Sequence, residues 1–404
     1  MPGHHKRGVS PANGRTRGRF SHRHVHFLGF AAASFPAAPA PRKRTIAMTD
    51  ELTVDYEGAE PFPGGGTPPR TFEGGVRIAV TATIVLVPFG GLALAVWLAW
   101  GHGLNLTDIL LAAAFYLVTG LGVTIGFHRL LTHRSFTAAP ALRVVLAIAG
   151  SMSFEGDVIG WVAIHRRHHA FADRPGDPHS PYRYGTSLPG QLRGLGHAHV
   201  GWLLRDDPTP PARYAPDLVA DPALRAISTA FPALCGVSLG LPFAVGWAIG
   251  GSWHAALAAL LWAGLVRVTL LQHVTWSVNS LCHVIGTRPF TTRRYDRATN
   301  LWPLALLSLG ESWHNMHHSD PTCARHGADP RQIDISASVI RIFERFGWAT
   351  GVHWPAPARL DSRRRDQGQP QSRPVLQGSE APAPAVSRLT VNAVHTTVNT
   401  VARN

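Results

Sequence analysis

Four long apolar stretches, almost free of charged residues, occupy the middle of this 404-residue chain. Each exceeds the roughly 17–20 residues that an α-helix needs to cross a bilayer core of about 30 Å. The stretches cover residues 78–100, 106–127, 226–249 and 253–276. Short turns at 101–105 and 250–252 join the first two and the last two. The sequence therefore predicts two membrane-spanning helical hairpins.

Two residues interrupt this pattern. Pro88 lies inside the first span and is expected to kink it. Arg267 lies inside the fourth span, where a charge facing lipid would be costly. Either that helix continues past the membrane, or Arg267 faces a polar partner. The apolar run at 141–154 is too short to cross and is predicted to lie at the interface or in the protein core.

Arginines flank the spans on one side only. The two short turns carry no Lys or Arg, whereas Arg129, Arg134 and the segment 288–297 lie on the opposite side. The positive-inside rule then places both termini and the segment 128–225 in the cytosol. We expect an integral protein of a bacterial plasma membrane. The net charge of +14 is explained by this topology, without a nucleic-acid partner.

The two ends of the chain differ from its middle. Residues 1–75 and 355–404 are rich in Pro, Gly, Arg and Ser without periodicity, so both are predicted to be disordered tails around a single domain at 76–354. A weak apolar run at 27–35 leaves a signal peptide open, and Met48 is an alternative start. The three isolated cysteines predict reduced thiols, with neither a disulfide nor a zinc site.

Histidines recur in spaced clusters at the predicted cytosolic ends of the spans. In Trp161–His169 three imidazoles stand at i, i+3 and i+4, on one face of a helix. One such cluster could be an ordinary solvated face. Repetition favours a metal, because each buried imidazole needs a partner. The eight clustered histidines are His128, His133, His165, His168, His169, His314, His317 and His318.

Further candidates are weaker. Asn279 and His283 share a helical face at the exit of the last span, as an extra ligand set or a capped helix end. Four carboxylates are candidates to receive imidazole N–H groups, of which two are expected to do so; they are Asp157, Asp173, Asp177 and Glu311. We expect His273 to be a satisfied core histidine. The remaining histidines are expected in loops or packing positions: His179, His197, His199 and His326.

The ligand types limit the chemistry. Nine imidazoles exceed the needs of one ion, so two ions are expected, and nitrogen ligands without cysteine suit iron, copper or zinc. A nitrogen-rich site at the membrane suggests oxygen chemistry on an apolar substrate. An unactivated methylene C–H bond cannot be attacked by side-chain acids or bases, so the metal must supply the reactivity.

These motifs resemble the membrane fatty-acid desaturases of the acyl-CoA Δ9 type, over about residues 106–354. The resemblance rests on four elements in order: Gly-Phe-His128-Arg-Leu-Leu-Thr-His133; Trp161–His169 followed by Asp177-Pro-His179; Thr275-Trp276-Ser-Val-Asn279 with His283; and Glu311-Ser-Trp-His314-Asn-Met-His317-His318. It implies an all-α integral membrane protein, in which four transmembrane helices carry a cytosolic helical cap with a His-rich di-iron site.

The resemblance also implies the division of the ligands and the reaction. One iron would be held by His128, His169, His283 and His318, with a water on Asn279. The other would be held by His133, His165, His168, His314 and His317. The implied reaction is O2-dependent removal of two hydrogens from a saturated acyl thioester, acyl-CoA by family type, giving a cis double bond at carbon 9.

Substrate-binding positions follow from the same resemblance. Trp161, Trp202, Thr275 and Trp276 would line a bent acyl tunnel, with interfacial aromatic packing as the alternative. Tyr116 would close its far end and favour shorter chains. Gly156 and Ala163 replace polar residues that hold CoA in relatives, which leaves another thioester or a phospholipid open as the acyl carrier.

The sequence also bears on the electron donor and on two alternative functions. Each turnover needs two electrons, and no haem or iron–sulfur motif is present in the sequence, so a separate ferredoxin, rubredoxin, cytochrome or flavin reductase must supply them. The nearest rival function is a His-rich di-iron membrane hydroxylase, which sequence hardly separates from a desaturase. A metal transporter is the remote alternative; it would need ionisable ligands deep inside the spans.

Overall fold

The computed structural model describes residues 72–99, 105–205 and 207–365. The signal-peptide and Met48 predictions, and most of both predicted tails, lie outside these residues. Within them, four helices are long and apolar enough to cross a membrane, as predicted: Ile78–Ala99, Leu106–Thr132, Phe231–Gly250 and Trp253–His283. The second and fourth continue beyond their predicted ends at 127 and 276. These extensions carry His128, Asn279 and His283.

In each hairpin, one arm is a continuous α-helix and the other arm contains a π-helical segment. α1 (Phe72–Ala99) runs on through Pro88, and α2 (Leu106–Leu121) begins at Asn105, whose side chain accepts from the Thr107 N–H. α2 continues as a π-helix at Gly122–Thr132. In the second hairpin, α9 (Phe231–Gly250) is followed by α10 (Trp253–Ala259), a π-helix at Leu260–Val266 and α11 (Arg267–Ser280). Widened π turns re-aim side chains and are frequent at functional sites.

The π-helix after α2 packs closely on α3 (Pro140–Ser151), the short apolar helix that was predicted not to cross. A Cβ at Gly122 would lie 2.1 Å from the backbone nitrogen of Gly150, and one at Gly126 would lie 2.9 Å from the Leu146 Cβ. Only glycine permits this backbone approach. The contact fixes the π-helix that presents His128.

Arg267 faces polar partners, the second of the two alternatives for this residue. Its side chain is 1% exposed and donates to the carbonyl oxygens of Met152, Ser238 and Ala263, and to the Ser238 hydroxyl. The guanidinium is thereby shielded from lipid. It ties α9 and α11 to the turn after α3.

The remaining elements form the cap over the ends of the spans. Its helices are α4 (Val158–Phe171), α5 (Leu188–His199), α6 (Pro211–Tyr214), α7 (Pro216–Ala220), α8 (Pro222–Thr229), α12 (His314–Ser319), α13 (Ile335–Arg345) and α14 (Pro357–Arg363). Short 3-10 turns occur at Gly201–Leu204, Leu281–His283 and Trp302–Leu304. Thr137–Ala138 (β1) pairs antiparallel with Ala349–Thr350 (β2). A buried apolar cluster under α4 and α8 joins the cap to the π-helix after α2.

Helices extend past both limits of the predicted domain at 76–354. α1 begins at Phe72, inside the predicted N-terminal tail. α14 lies inside the tail predicted to begin at 355, and it packs on the cap through Arg359–Asp320 and a backbone bond from Arg365 to Pro289. Composition alone missed this helix, because Pro- and Arg-rich sequence is also found in short helices held by side-chain contacts.

Candidate metal centre and its cavity

Nine histidines converge where the spans meet the cap. They come from the π-helix after α2, its exit loop, α4, the 3-10 turn after α11, and α12. Ring nitrogens lie within 4.8 Å of one another in each of two groups, which are His128, His133, His165, His169 and His317, and His168, His283, His314 and His318. Nearly all of these rings are buried. All eight histidines of the three sequence clusters are therefore brought together, and His283 joins them.

The division into two groups differs from the one implied by the resemblance. His128 and His169 were expected with His283 and His318, but they lie with His133, His165 and His317. His168 and His314 were expected with His133, His165 and His317. They lie instead with His283 and His318. The proximity of the ring nitrogens therefore favours another division of the ligands than the one implied by the resemblance. Spacing along α4 and α12 shows that three imidazoles share a face, but it does not show which neighbour each ring meets across the site.

The ring nitrogens stand at the separations that a shared ion requires. The Nε2 atoms of His128 and His317 are 3.0 Å apart, as are those of His317 and His169. Those of His283 and His314 are 3.1 Å apart. Two nitrogens bound at a right angle, each about 2.1 Å from one ion, would lie about 3.0 Å apart.

Carboxylates fix the orientation of four rings through Nδ1. Glu311 lies 2.5 Å from His128, Asp177 lies 3.1 Å from His168, Asp173 lies 2.7 Å from His283 and Asp296 lies 2.8 Å from His318. Each carboxylate receives the Nδ1 proton, which leaves a lone pair on Nε2 facing the centre. This arrangement raises the basicity of the ring as a metal ligand.

Several of these inward-facing nitrogens have no partner among the described residues. The Nε2 atoms of His133, His168 and His318 are buried without a hydrogen bond. A buried polar atom left unpaired costs about 1–3 kcal/mol. Metal ions at the two groups would satisfy these atoms, so the donor set fits a metal centre.

Burial keeps several of the clustered imidazoles neutral. Burial, and then the neighbouring rings, hold the pKa values of His165, His169 and His314 well below the usual value of an imidazole. Burial alone would raise the pKa of Glu311, but Arg129 and His128 outweigh it and keep it low. Neutral imidazoles beside ionised carboxylates are the form that binds metal.

Three of the four candidate carboxylates contact the ligands, one more than expected. Asp157 does not, because it caps the N-terminus of α4, where it accepts from the Gly160 N–H and from the Ser228 hydroxyl. Asp296 was missed. It lies in the segment 288–297, which drew attention only for its arginines, and no spacing rule links an acid in a loop to a histidine 22 residues later.

Two connected cavities reach the centre. One is narrow and largely apolar, and it is lined by His128, His165 and His314 together with Val123, Leu271 and Leu307. The other, which is wider, opens beside α1 and is lined by Ile84, Glu155, Trp202, Arg205 and Trp276, among others. Trp161, His165 and Asn279 line both. The histidine groups thus lie where an apolar cavity meets a wider mouth.

Four of the five predicted substrate-binding residues line one or both cavities, and the fifth, Tyr116, does not. Trp161 stacks on His165 with ring centres 4.9 Å apart. Thr275 lines the inner cavity, and Trp202 and Trp276 line the mouth. Tyr116 is not itself a lining residue. Its hydroxyl donates to the carbonyl of Leu307, 2.6 Å away, so it lies directly behind the inner wall.

The other histidines mostly behave as expected. His273 is satisfied, since its Nδ1 lies 2.9 Å from Nε2 of His199. His179 stacks on His168, with ring centres 4.3 Å apart. His326 is closer to the site than expected. It is buried beside His317, and its Nδ1 lies 3.6 Å from Glu311.

Comparison with known proteins decides the family. The family model "Fatty acid desaturase" matches residues 106–329, more than half of the chain. The chain belongs to the fatty acid desaturase family. It is an oxidoreductase of that family, with a His-rich metal-binding site and four candidate membrane spans.

Its relatives include proteins that act on different acyl carriers. The desaturase is 36% identical to a hex-5-enoyl-[acyl-carrier protein] acetylenase of Moorena producens, over 69% of this chain and 87% of the relative. It is 33% identical to the sn-1 stearoyl-lipid 9-desaturase of Anabaena variabilis, over 59% of this chain and 80% of the relative. It is 36% identical to delta-9 acyl-lipid desaturase 2 of Arabidopsis thaliana, over 62% and 75%.

Asp296 offers a test of the carboxylate contacts in this desaturase. Asp296→Asn removes the negative charge beside Nδ1 of His318 and replaces one carboxylate oxygen by an NH2 group, so metal affinity is expected to fall by about 10–100-fold. The measurement is metal content after dialysis against graded chelator. Asp157→Asn is the matched control, because it makes the same change at a helix cap that contacts none of the clustered histidines, and it should leave the metal content unchanged. Equal metal loss in both variants would contradict the role of Asp296.

Proposed function

We propose that this desaturase is a di-iron enzyme that uses O2 to form a cis double bond at carbon 9 of a saturated acyl chain held on a membrane lipid. The observation that supports it most is the pair of histidine groups at the wall of an apolar cavity. The cytosolic position of the site, from the charges flanking the spans, is part of this proposal.

The reaction must balance in electrons. The acyl chain loses two hydrogens, which carry two electrons and two protons. Reduction of O2 to two waters takes four electrons and four protons, so two electrons and two protons come from outside the substrate. Iron, when bound, would supply the O2 activation that amino-acid side chains lack.

The residues of the chain supply position and exclusion of water. The apolar walls formed by Val123, Leu271 and Leu307 would hold the methylene chain away from solvent. Trp161 and Asn279 stand where the inner cavity meets the mouth, and Thr275 lines the inner cavity, which suits a chain that bends beside the metal. The carboxylates keep the Nε2 lone pairs of the ligands directed at the ions.

The charges of the mouth bear on the acyl carrier. Glu155, Asp157 and Asp207 line it, against the single arginine Arg205. Burial raises the pKa of Glu155 to about 8, so this acid is largely neutral at pH 7. The wall still offers little attraction to the phosphates of CoA. The mouth also borders α1 through Val80 and Ile84, which would admit a chain from the bilayer. We therefore replace acyl-CoA by an acyl lipid as the proposed carrier.

Product analysis tests the function. The purified protein, with a reducing system, is supplied with deuterated stearoyl groups as phosphatidylglycerol, stearoyl-CoA or stearoyl-acyl carrier protein. Loss of two hydrogens from the lipid-bound chain, with the double bond at carbon 9, is the expected result. A gain of one oxygen instead would establish the hydroxylase. Turnover of either thioester alone would overturn the proposed carrier.

Tyr116 is predicted to limit chain length. Tyr116→Ala removes the ring behind Leu307 and lengthens the inner cavity, so the preferred substrate should shift towards longer chains. Competition between palmitoyl and stearoyl lipids, followed by mass spectrometry, measures the shift. Tyr116→Phe keeps the ring and loses only the bond to Leu307, so it should retain the original preference. An unchanged product profile in Tyr116→Ala would contradict the assignment.

A further inference from the structure

Five arginines surround the C-terminal end of α4, on the outer side of the metal centre. This arginine rim consists of Arg174, Arg288, Arg293, Arg294 and Arg297. Arg293 donates to the carbonyl of His169, 3.1 Å away, and the backbone N–H of Arg297 donates to Asp173. Residues far apart in sequence thus build one cationic surface.

The positive charge of the five rim arginines exceeds the negative charge of the acids near them. Within the described residues, none of its arginines forms an ion pair with a carboxylate. Two acids, Asp173 and Asp296, lie near Arg288 and offset part of its charge, while their side chains contact His283 and His318. By contrast, Arg134 and Arg166 on the same cap share Asp217. The rim therefore presents net positive charge.

The segment that carries four of the rim arginines contacts both histidine groups. Arg293 is exposed, yet it contacts the backbone of His169, a member of the five-histidine group. Asp296, within the same segment, is bound to His318 of the four-histidine group. Both groups are therefore one residue away from a segment whose side chains reach solvent. Tyr295 in that segment is 53% exposed.

Some of these arginines also have a structural role. Arg293 and Arg174 donate to the carbonyls of His169 and Ala170 at the end of α4, where a cation is favourable. Arg294 has no such role. Its guanidinium contacts only the ring of Tyr295 among the described residues. A purely structural account leaves this exposed charge unexplained.

We propose that the arginine rim is the docking surface for a small acidic one-electron carrier protein, which delivers the two external electrons of each turnover. This rests on the proposed function. The carrier must dock and leave twice per turnover, which suits a weak contact assembled by charge steering. A membrane surface is the competing occupant, and it is an outcome of the test.

The test compares Arg294→Glu with Arg345→Glu; Arg345 is also exposed but lies on α13, outside the rim. The probe is an acidic plant-type [2Fe–2S] ferredoxin, reduced by its reductase and NADPH, with lipid-bound stearoyl groups as substrate. At low ionic strength the KM for ferredoxin should rise about tenfold in Arg294→Glu and stay unchanged in Arg345→Glu. The difference should shrink in 0.5 M salt, at roughly a 4 Å Debye length. Arg294→Lys should restore the original KM.

A small reductant separates docking from chemistry. With dithionite, Arg294→Glu should form product at the rate of the unaltered protein. An unchanged KM for ferredoxin, or an equal loss with dithionite, would overturn the docking surface. Weaker binding of Arg294→Glu to phosphatidylglycerol vesicles, without a change in KM, would assign the rim to the membrane instead. Absence of product with dithionite in the unaltered protein would overturn the proposed function, and the docking surface with it.

Discussion

Replacing His283 by alanine is expected to remove one of the two metal ions and to abolish double-bond formation. His283 belongs to the group of four, so the remaining three imidazoles would hold their ion weakly. Its loss also leaves the buried Asp173 without its ring partner. The fall in activity should exceed the roughly 10–100-fold typical of an outer partner, because a direct ligand is lost.

The measurement is metal content and product yield, side by side, after purification without added metal. His199→Ala is the matched control. His199 lies near the same end of α11, bonded to Ser280 and His273, but it belongs to neither histidine group. It should keep both ions and most of the activity. Full metal content in His283→Ala would contradict its place as a ligand.

Local periodicity predicted most of the ligands, because two of the three histidine clusters lie on short helices. In α4 and α12 the 3.6-residue repeat alone brings the rings to one face. His283 carried a weaker signal, a single pairing with Asn279 at the end of a span. It became a candidate only because the topology placed it beside the other clusters.

What could not be predicted depends on contacts across the fold. Asp296 reaches His318 from a loop, and the division of nine rings between two groups depends on how α4 faces α12. Neither has a local repeat. The same is true of α14, whose short helix is held by Arg359 on Asp320. Sequence patterns describe elements well, whereas partner choice between distant elements needs the packed structure.

The π-helix after α2 shows how packing in the spans controls the metal centre. It presents His128 to the five-histidine group and rests on α3 through Gly122 and Gly150. A methyl group at Gly122 would lie 2.1 Å from the Gly150 nitrogen and 2.5 Å from the Ala149 carbonyl carbon. These atoms belong to the backbone, so no side chain can turn away to make room. The two segments would have to separate.

Gly122→Ala is therefore expected to destabilise the protein and to lower its metal content. Overpacking of a close contact costs about 1–3 kcal/mol, and occasionally more, which exceeds the gain of about 1 kcal/mol that alanine brings to a helix. Displacing the π-helix would also move His128, six residues further on. Thermal unfolding in detergent and metal content are the measurements. Gly236→Ala in α9 is the control, since a methyl group there meets no atom within 4 Å. It should gain slightly in stability; equal behaviour of the two variants would show that the contact between α3 and the π-helix does not hold His128 in place.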